Sequence, residues 1–378
     1  MPNSRLTLIA GLTILRAEEM KLRAAVLYEA KTPLVVEEVD LDSPGPGEVK
    51  VRLRATAVCH SDIHFFDGDV PIRGPGIAGH EAAGIIDEVG AGVTYVKPGD
   101  HVVMAPITAG CGQCHNCLLG MRFSCTGIAR SGPHHKNKKG EPLAPLAGPV
   151  AGFAEYTVVN ELQTVKVPED LRPEIACLLG CGVLTGFGTV VNRAKVRPFQ
   201  SAVVIGVGGV GLNAIQGAAF SGAHPIIAVD VLDSKLEAAK MFGATHGVNA
   251  TKVDPVEAVR EITGGRGADH AFIMVGADKV VRQAFQMLAS GGSSYMVAIA
   301  SANLADFSAR EFISGRGFTG AVLGWTNLRL DVPRYIDIYR AGRLKLDELV
   351  TAAYPLDKIN EAADSTRSGE ALRNVITF

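Results

Sequence analysis

The stretch SAVVIGVGGVGLNAIQGAAFSG, Ser201 to Gly222, decides the fold. Its apolar run Ala202 to Ile205 reads as a strand buried on both faces, as in parallel sheets, and its Ala-rich second half reads as a helix. Between them Gly206, Gly208 and Gly211 stand in G-x-G-x-x-G spacing. In a chain with 43 glycines the spacing alone carries little; the strand before it and the helix after it give it meaning. Glycines at such a turn let the backbone approach a pyrophosphate and let helix pack closely on strand, with the phosphates at the helix N-terminus. Gly209 and Val210 complete that cradle. The next apolar segment, PIIAVD, ends at Asp230, nineteen residues beyond Gly211. A carboxylate there accepts hydrogen bonds from the adenosine ribose hydroxyls and repels a 2′-phosphate, which favours NAD over NADP.

Outward from this stretch the chain alternates strand with helix. Strand candidates AVVIG, PIIAVD, HGVN, ADHAFIMVG and SSYMVAI are separated by helical segments that include SKLEAAKMF, PVEAVREIT and KVVRQAFQML, with Gly222 and Gly243 where helix C-caps belong. The expectation is a doubly wound parallel sheet. Upstream, short strands punctuated by Gly and Pro, such as GEVKVRLRATAV and HEAAGIIDEVG, predict a β-rich domain. The fold class is therefore α/β with two domains, as a length of 378 residues also suggests.

Four of the seven cysteines, Cys111, Cys114, Cys117 and Cys125, fall in CGQCHNCLLGMRFSC. Four thiolates from one loop satisfy the closed tetrahedral coordination of a structural zinc. Cys59 in VCHSDIH, His80 in IAGHEAAG and Cys181 in LLGCGVLTGFG make a mixed N and S set, which suits a catalytic zinc with one open position. Each taken singly has a plainer explanation as a buried thiol or a hydrogen-bonded histidine.

With these blocks in place, the chain resembles the zinc-dependent alcohol dehydrogenases of the medium-chain dehydrogenase/reductase family from about Lys21 to Phe378. The resemblance is carried by VCHSDIH, GHEAAGIIDEVGAGVTYVKPGDHV, the four-cysteine loop, GCGVLTGFG, IGVGGVG with VDVLDSK, and RSGEALRNVITF. It implies a GroES-like catalytic domain and a Rossmann coenzyme domain. The divisions expected are 1–19 as an extension of undecided role, 20–182 catalytic, 183–322 NAD-binding, and 323–378 returning to the catalytic domain. It implies Cys59, His80 and Cys181 as catalytic zinc ligands, Ser61 and His64 as a proton relay, and Asp62 and Glu81 as acids behind the metal. His60, Lys235, Val275 and Arg373 are the further cofactor contacts it implies. Two zinc ions per subunit and NAD are the expected cofactors, and a homodimer or homotetramer the expected assembly.

The chemistry also follows from the residues. Zn²⁺ lowers the pKa of an alcohol oxygen in its open position, preparing a zinc alkoxide for hydride transfer to nicotinamide. Ser61 can pass the released proton outward through the nicotinamide ribose to His64, whose imidazole titrates near neutrality. Asp62 would orient His80 by accepting its other ring N–H. Ile107 and Ser61, smaller than the side chains of ethanol-oxidising relatives, predict a wider pocket, with Trp325 narrowing it from the far side. Primary, aryl or small secondary alcohols are the substrates expected, with the aldehyde or ketone in reverse. Gly68 and Val70 stand where a glutathione-dependent enzyme would carry acids, which ranks that activity low. The alternatives are a polyol dehydrogenase, which generally has a carboxylate where Cys181 stands, a zinc-free quinone reductase, and an NAD-binding structural protein without catalysis.

A net charge of −2, with no basic patch laced with aromatics, argues against a nucleic-acid partner. The basic loop HHKNKKG at His134 to Gly140 reads as solvated. LTLIAGLTIL, Leu6 to Leu15, is too short to span a bilayer, so no membrane partner is expected. Zinc thiolates require reduced cysteines, which points to the cytoplasm.

Overall fold

Along the strand Ala202–Ile205, alternate side chains enter two different cores. Ala202 and Val204 pack with Leu212, Ile215 and Leu236, while Val203 and Ile205 pack with Val259, Val281 and Phe285. A strand covered on both faces has no polar side, and this is why its sequence is continuously apolar rather than alternating. The computed structural model describes residues 20–128, 132–298 and 307–378, so the extension 1–19 lies outside the described residues. The six parallel strands lie in the spatial order His246–Asn249, Ile226–Asp230, Ala202–Ile205, Ala268–Ile273, Leu288–Met296, Gly317–Gly320. The order reverses at Ala202–Ile205, and a crevice opens there beyond the strand C-termini.

The helices that cover this sheet begin and end on local signals. Pro255–Ile262 starts with Pro at its first position, and the Asp254 side chain accepts from the N–H groups of Val256 (2.8 Å) and Glu257 (3.2 Å). Gly209–Phe220 starts inside the glycine turn and is followed by Gly222 at φ +76°. Asp233–Met241 is followed by Gly243 at φ +113°.

The β-rich part is organised around the long strand Glu48–Val58, which pairs antiparallel with Glu81–Val89 on one side. Its inward residues Val49, Val51 and Leu53 are buried with Ile86, Val102 and Met104. On the other side it pairs with the chain's last strand, Arg373–Thr377, in register Asn374 to Val58. Met20–Val26 and Val35–Leu41 form an antiparallel ladder in a separate five-stranded sheet. Insertion of Arg373–Thr377 carries the Arg373 side chain to the seam between the two halves. Among the described residues no single helix is long and apolar enough to cross a membrane.

His135 gives the β-rich part a pH dependence. Its ring is 2 % exposed, Nε2 lies 2.9 Å from the Tyr156 carbonyl oxygen, and burial pushes its pKa from 6.5 down to about 4. A histidine held neutral in the folded state favours unfolding once protonation becomes possible. The folded form therefore loses stability as pH falls from about 6.5 towards 4, at most about 3 kcal/mol from this group. We expect His135→Gln to flatten the fall in thermal midpoint between pH 7 and 5; parallel curves for the two proteins would exclude this role.

Candidate active site

Cys59 ends the strand Glu48–Val58 and begins the helix His60–Phe66, and Asp62 on the first turn of that helix gathers the site around itself. The fully buried Asp62 carboxylate accepts the Cys59 N–H (3.0 Å) and the Gly79 N–H (3.1 Å), and one of its oxygens lies 3.2 Å from His80 Nδ1. A carboxylate can only accept, so Nδ1 donates and Nε2 is left free for a metal. Ligand atoms of Cys59, His80, Glu81 and Cys181 all lie within 4.8 Å of one another. Glu81, expected behind the metal, thus stands with the other donors. Its Oε1 accepts the Gly182 N–H at 3.0 Å and lies 3.5 Å from Arg373 Nη2, while Oε2 has no hydrogen-bond partner.

The charges of this cluster test its fit to a cation. Burial raises the Glu81 pKa to about 8, against the pull of Arg373. The neighbouring Cys59 sulfur and burial hold the Cys181 thiol well above its ordinary value, while Cys181 and His80 draw the Cys59 thiol well below its own. Two sulfurs and a carboxyl this close cannot all ionise by themselves, and a divalent cation among them would reverse that balance. The soft, mixed donor set fits zinc.

Cys111, Cys114, Cys117 and Cys125 also bring their sulfurs within 4.8 Å of one another. Cys114 is pulled down to about 5 by the backbone N–H groups of Thr126 and Cys117. Cys111 Sγ accepts the Cys114 N–H at 3.3 Å, and Cys125 Sγ accepts the Cys111 N–H at 3.3 Å. Backbone donors aimed at sulfur favour thiolates, as a closed zinc site requires. All seven cysteines are free of disulfides.

A cavity of about 780 Å³ joins the first metal cluster to the glycine turn. Cys59, His60, Ser61, His64, His80 and Cys181 line it at one end, and Gly206, Gly208 to Gly211, Asp230, Lys235 and Val275 at the other, with Arg373 between. A Cβ on Gly211 would lie 2.1 Å from the Gly206 carbonyl oxygen, so only glycine lets the helix close onto the turn here. Asp230 Oδ2 accepts the Val207 N–H at 2.8 Å, and Oδ1 accepts the N–H groups of Val231 (2.7 Å) and Leu232 (3.1 Å), which fixes the carboxylate beside the cradle. Glycine cradle, acid and buried Arg373 together fit a dinucleotide.

Two residues read as pocket walls stand elsewhere. Ile107 lines a second cavity of about 530 Å³, which meets the first only at Pro106 and Gly148. Trp325 packs on Phe123 with ring centroids 4.3 Å apart and lies under the Arg193 guanidinium, and it does not line the main cavity. The apolar end of that cavity is instead walled by Phe65, Pro106, Ala147, Gly148, Val322 and Leu323. Apart from Phe65, which follows VCHSDIH on the same helix, these come from segments without a motif, and the sequence carried no signal for them.

A doubly wound sheet with a dinucleotide cradle, joined to a β-rich unit that carries a buried Cys–His–Glu–Cys cluster, defines a nicotinamide-dependent metalloenzyme. Residues 45–169 match the model of the alcohol dehydrogenase GroES-like domain, and residues 209–338 that of the zinc-binding dehydrogenase. The chain is 41% identical over 373 residues to putative alcohol dehydrogenase D of Mycobacterium tuberculosis, covering 94% of this chain and 100% of the relative. It is 40% identical over 382 residues to an S-(hydroxymethyl)glutathione dehydrogenase of Paracoccus denitrificans, covering 95% and 100%. The crystal structure of benzyl alcohol dehydrogenase from Acinetobacter calcoaceticus superposes with a TM-score of 0.87 at 33% identity, covering 95% of this chain and 99% of that one. The chain belongs to the zinc-dependent alcohol dehydrogenases of the medium-chain dehydrogenase/reductase family. It is an oxidoreductase whose reaction is NAD-dependent alcohol oxidation and whose cofactors are zinc and NAD.

Proposed function

We propose that the physiological substrate is a primary, aryl or small secondary alcohol without a charged tail. The observation that carries this is the cavity lining: among the described residues its one acid is Asp230 and its Lys and Arg residues are Lys235 at the coenzyme end and Arg373 between that end and the metal cluster, where it faces Glu81. An anionic thiol conjugate would find no cation on the substrate side, and a polyol would find apolar walls. Cys181 in the metal cluster likewise favours a simple alcohol over a polyol.

Cys59, His80 and Cys181 would hold the catalytic zinc, with Glu81 beside them, and Cys111, Cys114, Cys117 and Cys125 the structural one. The catalytic zinc supplies a Lewis acid for the substrate oxygen, and NAD the hydride acceptor. Asp62 holds His80 in the tautomer that leaves Nε2 for the metal. The Ser61 hydroxyl, 3.5 Å from Cys59 Sγ, takes the substrate proton and passes it on, and His64 receives it at the rim of the cavity. Gly206 to Gly211 and Arg373 bind the pyrophosphate, with Lys235 adding charge, His60, whose pKa burial lowers, offering a ring N–H, Asp230 accepting from the ribose, and Val275 packing beside the cofactor. The division into 20–182 and 323–378 as catalytic and 183–322 as coenzyme-binding is kept in this proposal. So are a cytoplasmic setting, supported by seven free cysteines, and a homodimer or homotetramer, supported by the exposed Ile313 and Val322 around the edge strand Gly317–Gly320.

NAD reduction measured over a panel of alcohols tests this reading. Aryl and medium-chain alcohols should reduce NAD with kcat/KM at least about a hundredfold above that with NADP, equivalent to roughly 3 kcal/mol of discrimination. Asp230→Gly should narrow that ratio mainly by raising NADP use. Zinc-replete protein that reduces NAD with no alcohol, or uses both cofactors equally, would overturn it.

A further inference from the structure

We propose that Asp69 is a positioning residue for the proton path, holding the His64 ring with one nitrogen turned outward and the other left to the cavity. The inference rests on the reading of His64 as the outer end of that path. Asp69 lies in the loop that follows the helix His60–Phe66, and the loop is folded back by a short ladder. The Asp67 N–H donates to the Ile63 carbonyl (2.8 Å), Gly68 to Phe65 (3.3 Å) and Val70 to His64 (3.1 Å). Gly68 at φ +78° makes the reversal, a conformation that other residues reach only with strain. The reversal brings Asp69 Oδ2 to 2.9 Å from His64 Nδ1.

A carboxylate offers only acceptors, so the proton of this bond belongs to Nδ1. The neutral ring then keeps its lone pair on Nε2. A proton arriving from the substrate side binds Nε2, the resulting imidazolium is stabilised by the Asp69 charge, and a base in bulk water takes a proton from the exposed side of the ring. No bond other than N–H is made or broken. The His64 side chain is 26 % exposed and that of Asp69 62 %, so the pair sits where cavity meets solvent.

The other charges around His64 do not supply this function. His60, one turn back on the same helix, meets the His64 ring edge-on at 5.4 Å between centroids and offers no acceptor charge. Asp67 is held by Arg367 of the helix Ile359–Arg367, with Nη2 to Oδ1 2.9 Å. Asp62 is buried against His80. Lys31, beside Gly68, and Lys235 and Arg373, which act on His60 across the cleft, are cations and offer the ring no acceptor. Asp69 is thus the carboxylate bonded to the ring.

The test uses the zinc- and NAD-loaded enzyme with ¹³C-labelled histidine. In Asp69→Asn the ¹³C shifts of the neutral His64 ring should move from those of the Nδ1–H tautomer towards those of a mixture of the two tautomers. kcat in weak buffer should fall several-fold, and imidazole added to the medium should restore it. Asp69→Glu should restore both tautomer and rate. Unchanged ring shifts in Asp69→Asn overturn the inference, as does a changed tautomer with unchanged kcat in weak buffer while His64→Gln lowers it. If His64→Gln itself leaves kcat in weak buffer intact, the relay reading fails, and a tautomer that still changes in Asp69→Asn then reports the pairing alone.

Discussion

Ser61→Ala lowers kcat for alcohol oxidation by about 10² to 10⁴, the usual range for losing a positioned proton-transfer group, while zinc content and NAD affinity stay close to those of the unaltered enzyme. Among the described residues the Ser61 hydroxyl meets Cys59 Sγ at 3.5 Å, a long contact whose loss leaves the metal cluster and its Asp62 support in place. The next group outward, His64, lies at the cavity rim and is partly exposed, so His64→Gln costs less and a small base in the medium restores turnover. The measurements are single-turnover rates, elemental zinc and NAD binding on the same samples. Near-normal turnover by zinc-replete Ser61→Ala would exclude the relay and send the proton out through water.

Replacing Cys114 by Ser removes the structural zinc and with it the fold of the loop that carries it. Between Cys111 and Cys125 only Cys117 and Phe123 are buried, whereas Leu118 is 74 % and Leu119 61 % exposed. With so little apolar burial, the loop owes its shape to four sulfurs on one ion. Binding of structural zinc in small domains is worth on the order of 10 kcal/mol, far above what two buried side chains return. The expected results are a fall from two zinc ions per subunit to one, proteolytic cleavage within residues 109–128, and loss of most soluble yield. NAD binding should persist in the fraction that folds, since the glycine cradle lies in the other half of the chain. A Cys114→Ser protein with two zinc ions and unchanged protease resistance would refute the assignment.

What the sequence by itself determined is whatever lies within one short segment. The glycine turn at Gly206 to Gly211 and the four cysteines from Cys111 to Cys125 are contiguous, so spacing alone puts their groups in one place, and the both-faced burial of Ala202–Ile205 is written in its unbroken apolar run. Asp230 was legible for the same reason, one strand and one helix further on. The metal cluster of Cys59, His80 and Cys181 was legible only through several blocks read together, because its members come from three segments. Tertiary structure alone decided the rest. Pairing of Arg373–Thr377 with Glu48–Val58 puts Arg373 against Glu81, and the turn at Gly68 folds Asp69 onto His64. Packing on Phe123 and Arg193 takes Trp325 out of the cavity it was expected to narrow. The physical reason is common to all three: strand pairing, loop reversal and side-chain packing are fixed by the summed burial of partners distant in sequence, and no local pattern records which partner wins.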